Sequence, residues 1–417
     1  MSLGLRYGYR YGLRYGEGGA APPTPDPTGP AGTLLPWPVE AFTWGLTWRT
    51  DILAMRDGSE YRQALNDYPR ESFDVEFVLD TADARYMREI LKANAARVFH
   101  LPVRILDVLA TAAVTSTTVT ADVSLADWAV VGQRVMLEDD AGNTHATHLA
   151  TVSVGSVTIA DAVAATFPAG SRLVPLACVY LDDKATAGHY AVNAGRWSAR
   201  ARAFLPLTVL GGGGTAPATY ASHDLLEEAP DMDDATASEA IDGGIDLIDA
   251  GGAIAVTTAY TVANVQRSGS FTAQSEAERQ TWLRFLVARN GRQVTFWHAT
   301  HRADFDVTAS GSGTLTVSNP SAYGSAYVAT WAAALVGTHI AVKISGAATR
   351  YLQIAAATVG ASTTVLDVTG ASPNLTGLTI TMVCRLELVR LADDTVMLED
   401  RGAGLLGFDL PTIVVPQ

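Results

Sequence analysis

Two short stretches carry histidines at a spacing that invites metal chemistry. HATH occurs at His145 to His148 and again at His298 to His301, and the second copy runs on into Asp304 and Asp306. A transition-metal site needs three or four N, O or S ligands converging from one side. Residues three apart on an extended strand point to opposite faces, so His298 and His301 read as surface or subunit-contact histidines and not as a ligand pair. The stretch EEAPDMDDATASEAIDGGIDLID has enough carboxylates to suggest calcium. It lacks the ordered ligand spacing and the closing bidentate glutamate of an EF-hand loop, and reads as a solvated acidic linker. Gly211 to Gly214 is followed by no Lys-Ser/Thr and is not a phosphate loop. Cys178 and Cys384 sit in apolar runs, where cysteine behaves as a small buried hydrophobe. No Gly-x-Ser-x-Gly, activated cysteine or selected pair of carboxylates is present. No catalytic, cofactor-binding or metal residue is therefore nominated, no cofactor is expected, and the chain reads as a non-enzyme.

Composition bounds the class. At 417 residues the chain is long enough for two or three domains. Hydrophobic residues make up 48% and charged residues 17%, so a large core is available and the charged surface is thin. The 29 basic and 43 acidic side chains leave a formal charge of −14, which argues against a general nucleic-acid or anionic-membrane binder. Two cysteines cannot make a disulfide framework or a four-ligand zinc site. No run approaches the roughly 20 apolar residues of a membrane span, and the N-terminus lacks the apolar core of a signal peptide. A soluble protein without a membrane anchor or a secretion signal of its own is expected.

The elements that would position any site come in duplicate. SEAERQTWLRFLVARNGRQVTFWHATHRADF opens with a capping-box spacing, Ser275 and Glu278. Trp282, Phe285 and Leu286 continue it as a helical stripe. Asn290 and Gly291 stop the helix, and Val294 to Trp297 reads as a strand. Subtracting 195 places Asp80 and Asp83 on the capping positions, Met87, Ile90 and Leu91 on the stripe, and the strand Val98 to Leu101 after Arg97. Asp51-Ile52-Leu53 and Asp246-Leu247-Ile248 stand at the same offset. Such a self-match predicts two copies of one unit. Each is followed by short β-branched runs between Gly and Asp turns. These runs carry Trp128, Gly132 and Cys178 in the first copy, and Trp331, Gly337 and Cys384 in the second.

The predicted organisation is an arm at 1–33, a first unit at 34–210 with a β insertion at about 103–181, and a second unit at 211–417 with a β insertion at about 307–388. The arm opens with Arg-Tyr-Gly repeats around Arg6, Arg10 and Arg14 and continues as a Pro-rich linker. Three readings of it stand open: a disordered tail, a segment that orders on a neighbouring subunit, and Arg/Tyr contact with nucleic acid. The aromatic, Pro-broken segment from Leu34 predicts an edge strand. Phe73, Val75 and Phe77 alternate as in a half-buried strand.

WRTDILAMRDGSEYRQALNDYPRESFDVEF, then a helix, then VFHLP, resembles tail-tip proteins of long-tailed bacteriophages. So do the second unit's capped helix with Trp282, its Asn290 to Arg292 turn followed by VTFWHATHRADF, and YASHDLLEEAPDMDD. The resemblance covers the two α+β units, about half the chain, and neither insertion. It implies the distal-tail and baseplate-hub group. Such proteins form a ring between the tail tube and the receptor-binding apparatus, and their core is related to the tail-tube fold. The implied fold is mainly β with α+β units, a tandem duplication of a tail-tube-like β-sandwich or split barrel with one packed helix. Each copy would carry an inserted small β-barrel or sandwich. The group usually has one unit per subunit, so the duplication is a departure that leaves six copies or three per ring. The implied partners are a homo-oligomer ring, trimer or hexamer, the tail tube protein, other hub proteins and receptor-binding proteins, with no specific nucleic acid. The implied location is the virion tail, assembled in the host cytoplasm. The alternative is a host cell-surface glycan binder acting through the insertions, with Trp128 and Trp331 as candidate platforms.

Overall fold

A computed structural model describes residues 39–55, 59–94, 98–121, 123, 126–182, 185–191, 194–204, 207, 217–231, 238–242, 245–249, 254–258, 263–320, 324–402 and 405–416. The 1–33 arm, the Gly211 to Gly214 boundary and the centre of the acidic stretch lie outside the described residues. The described chain is mainly β, in open sheets, with three α-helices: α1 (Thr81–Asn94), α2 (Glu276–Arg289) and α3 (Ser325–Leu335).

The chain enters through β1 (Val39–Thr47), turns through a hairpin of β2 (Thr50–Ala54) and β3 (Glu60–Ala64), and returns as β4 (Arg70–Asp80). In β4 the predicted alternation holds: Phe73, Val75, Phe77 and Leu79 are all buried. β1 was expected at an edge, but it is an interior strand. It pairs with β4 on one side and with the Thr395–Asp400 strand on the other. The partner that covers it lies about 350 residues away in sequence, beyond what a local reading can detect. The order across this sheet is Ser270–Ala273, Leu406–Asp409, Thr395–Asp400, β1, β4, Ala194–Ala203 and Arg172–Leu181, so both chain halves share one sheet.

The helix ends obey the sequence. Asp80 accepts from the backbone amides of Ala82 and Asp83 at the start of α1. Ser275 caps α2 by accepting from Glu278 N, and Asn290 ends it at φ 49° in the left-handed region. The strands after the helices begin slightly later than predicted, at Phe99 (β5, Phe99–Pro102) and at Phe296 (Phe296–Ala299). α2 is the more deeply packed helix. Its Trp282 ring lies 4.8 Å from both Phe271 and Phe408, which stack on neighbouring strands. On its other side Arg284 makes a bidentate pair with Asp127, at 2.6 and 2.7 Å. The 307–388 region was expected to be a β-rich insertion, and it also contains a helix, α3. SAYVATWAAAL is rich in alanine, the best helix former, and buries Val328, Ala332 and Leu335 at helical spacing. One core runs through both halves from Phe42 to Leu410, while strands 307–383 close around a smaller core of their own.

Candidate functional site

The first HATH lies on the Thr144–Ser153 strand. His148 is exposed, and His145 Nε2 lies 3.2 Å from the carbonyl oxygen of Asp161. The second pair departs from expectation. The Phe296–Ala299 strand ends one residue after His298, and His301 adopts φ 53°. The break in the strand cancels the opposite-face rule and swings the two rings to 5.3 Å apart. Both are buried, not surface residues: His298 is 9% exposed and His301 5%. His301 Nδ1 accepts from Lys343 Nζ at 3.0 Å, which places the imidazole proton on Nε2. Neither Nε2 atom has a hydrogen-bond partner among the described residues. Burial pushes His298 down to about 3, with help from His301 and Arg267. Burial and then the Lys343 charge push His301 down to about 4. Both rings are therefore neutral at physiological pH.

The carboxylates near this pair serve other partners. Asp304 accepts from Arg385 N at 2.7 Å, from Arg302 Nε at 3.1 Å and from the Thr300 hydroxyl, while Asp306 is exposed. No group of three His, Cys, Asp or Glu side chains among the described residues is arranged to hold a metal ion. Above His298 is a cleft of about 250 Å³. Its charges are matched in pairs. Arg267 reaches Glu239 at 3.2 Å and Glu387 at 2.7 Å, and Arg302 reaches Glu239 at 2.6 Å. Burial pushes both cysteine thiols up, so neither is a ready nucleophile. The two cysteines are also not counterparts. Cys178 pairs with His100 of β5, whereas Cys384 pairs with Ala341 on the opposite flank of its strand.

The tryptophans separate in the same way. Trp128 is 2% exposed in the main core, beside α2, and cannot serve as a sugar platform. Trp331 lies on α3, half-buried against the smaller core. Their similar sequence settings hide different elements.

The most distinctive surface is one that the residue inventory missed. β2 and β3 form a two-stranded sheet of their own, in register from Thr50 opposite Ala64 to Ala54 opposite Glu60. On and beside it Leu53, Met55, Tyr61, Leu65 and Tyr68 are 45–63% exposed. Leu53 stands directly opposite Tyr61. An isolated two-stranded hairpin is marginal in water, so its base must be anchored. Arg390 grips Glu60 through two bonds of 2.8 and 2.7 Å. Asp394 accepts from Thr50 N and Oγ1 at 2.7 and 2.8 Å, and from Arg292 N and Nη2 at 3.0 and 3.2 Å. The available sequence signal was a tyrosine and leucine row inside an otherwise charged hairpin.

No protein-family profile matches the chain, and no curated protein matches it.

Proposed function

We propose that the chain is a non-enzymatic, self-assembling structural protein of a bacteriophage tail tip, forming an adaptor ring between the tail tube and the receptor-binding apparatus. One observation carries the reading: the anchored β2–β3 hairpin presents apolar side chains to solvent. A row of this kind on a rigid base suits burial against a second copy. The repeat gives the ring its rationale. α1 and α2 are each 14 residues long and start 195 apart. β2 and the Ile245–Asp249 strand each open a separate two-stranded hairpin at the same offset. In the first half, strands Arg172–Leu181, Arg134–Glu138, Thr144–Ser153, Ser156–Ile159 and Thr118–Val119 neighbour one another in that order. In the second half, Ile380–Leu391, His339–Ile344, Ala347–Val359, Thr363–Thr369 and Thr314–Ser318 do the same. These parallels support a tandem unit, each copy with an inserted β region, and a trimer would then display six such units.

The test is the solution mass of the full chain beside that of the L53D/Y61D variant. The reading expects a trimer or hexamer that the substitutions break into monomers at unchanged melting temperature. A wild-type chain that stays monomeric at high concentration would overturn it.

A further inference from the structure

β1 and β4 meet from Thr43 opposite Asp74 to Thr47 opposite Arg70. The strands Ser238–Asp242 and Asn264–Ser268 meet from Ser238 opposite Ser268 to Asp242 opposite Asn264. These are the same five pairs, displaced by 195 residues on one strand and 194 on the other. Their surroundings differ on one flank. In β1 the same five residues pair on their other side with Thr395–Asp400, from Thr43 opposite Glu399 to Thr47 opposite Thr395. Among the described residues, Ser238–Asp242 pairs only with Asn264–Ser268. Trp44 and Leu46 of β1 are fully buried, whereas all five residues of the later strand are exposed, Ile241 at 68%. An edge that carries an apolar side chain, with no lysine or proline to guard it, is a template for another strand.

The strand that covers β1 also has a match in the other half. Thr395–Asp400 forms a hairpin with Leu406–Asp409, in the stretch between Leu391 and Thr412, which pair with one another. In the first half, Leu181 and Ala201 pair in the same way. The stretch between them is again a hairpin, of Thr186–Ala191 with the start of Ala194–Ala203. The offset of 210 from Leu181 to Leu391 carries Ala185–His189 onto Thr395–Glu399, the residues that cover β1. Among the described residues, Thr186–Ala191 pairs only with Ala194–Ala203, and Thr186, Ala187 and Gly188 are exposed. One chain therefore carries the two halves of a junction that it completes once, at β1, and leaves open once.

We infer that Thr186–Ala191 of one copy adds antiparallel to Ser238–Asp242 of the next, repeating between chains the junction that Thr395–Asp400 makes with β1 within one. The register carried over from that junction sets Ser238 opposite His189, Ala240 opposite Ala187 and Asp242 opposite Ala185. It places no like charges face to face. Main-chain hydrogen bonds of the added strand supply the affinity. Each chain offers one open strand of each kind, so the contact runs head to tail and closes as a ring. The inference rests on the self-assembly proposed above. It adds to the exposed β2–β3 row the strand edges that fix the register between copies.

The experiment is oxidative cross-linking of full-length A187C/A240C, resolved on a non-reducing gel. Opposed Cβ atoms of an antiparallel pair lie roughly 4.5–5.5 Å apart, close enough for a disulfide to form with small adjustment. A ladder of covalent multimers is expected, ending at the copy number of the ring. A187C alone, A240C alone and the one-residue-shifted A187C/I241C, whose cysteines face opposite sides, should each cross-link at least about tenfold less. Ala187, Ala240 and Ile241 are exposed, and melting curves check that the variants fold. The solution mass of the wild-type chain separates the two readings. An oligomeric wild type whose A187C/A240C variant cross-links no better than the controls, or only within single chains, overturns the strand junction and leaves the ring standing. A monomeric wild type overturns both.

Discussion

At the scale of single residues, the buried histidines couple stability to pH. An unfolded chain protonates its histidines near 6.5, whereas His301 resists to about 4 and His298 to about 3. Below pH 6.5 the unfolded state binds more protons, so stability falls with acidification across that window and is unaffected above it. At pH 5 each histidine costs about 2 kcal/mol relative to neutral pH. His301→Asn, a residue that tolerates the left-handed backbone, and His298→Gln should each flatten the urea-measured acid limb by that amount. An unchanged slope between pH 7 and 5 would refute the assignment. Asp394 ties the start of β2 to the turn after α2. Burial pushes its carboxyl up, and the donations from Arg292 and Thr50 more than reverse this, leaving it below the usual carboxylate range. Asp394→Ala strands these donors and is expected to cost about 3 kcal/mol. Gly291 stands next to it at φ 64°, where a Cβ would sit 2.5 Å from the Asp394 carboxylate and 2.7 Å from Trp48 Cβ. Gly291→Ala should therefore also destabilise, by more than about 1 kcal/mol in chemical denaturation.

At the scale of elements, the anchors decide which parts stay ordered. Burial raises the Glu60 carboxyl, and Arg390, Arg62 and Arg292 together bring it below its ordinary value. Arg390→Ala removes the bidentate grip on β3 and leaves the marginal hairpin anchored only through Thr50 and Asp394. Amide exchange across residues 50–64 should accelerate at least about tenfold while α2 remains protected. Equal protection in the variant would mean that Asp394 alone holds the hairpin. Helix ends were legible because Asp80, Ser275 and Asn290 act on backbone groups within four residues. α3 is not legible in the sequence because its alanines carry no polar face to set a period against and it lies among β-branched runs.

At the scale of the whole molecule, the chain closes on itself. The strands from Thr395 to Asp409 lie between β1 and the Ser270–Ala273 strand, so the first half borrows its sheet neighbours from the C-terminal end. Trp44, Leu398, Phe408 and Phe271 line up across this seam, all buried. Residues 1–210 expressed alone would expose the flank of β1 and the part of the main core that Leu226 to Leu410 cover. They are expected to aggregate or to lack a cooperative melt, whereas the full chain should melt that core in one transition. A soluble, cooperatively folding 1–210 fragment would show that the halves are independent.

Composition and short-range pattern account for the strand-rich class, the two capped helices, the alternation in β4 and the acidic balance, because each depends on residues a few positions apart or on residue counts. The histidine site was not legible. Its geometry arises from one left-handed residue, His301, and from Lys343 on a strand about 40 positions away. Nor could spacing tell that Cys178 and Cys384 stand in different places, since strand register sets a side chain's neighbours and a shift of a few residues changes them all. That β1 is interior, that one core serves both halves and that the β2–β3 row faces water emerges from long-range packing alone. Each of these depends on pairings across hundreds of residues, which local propensity does not encode.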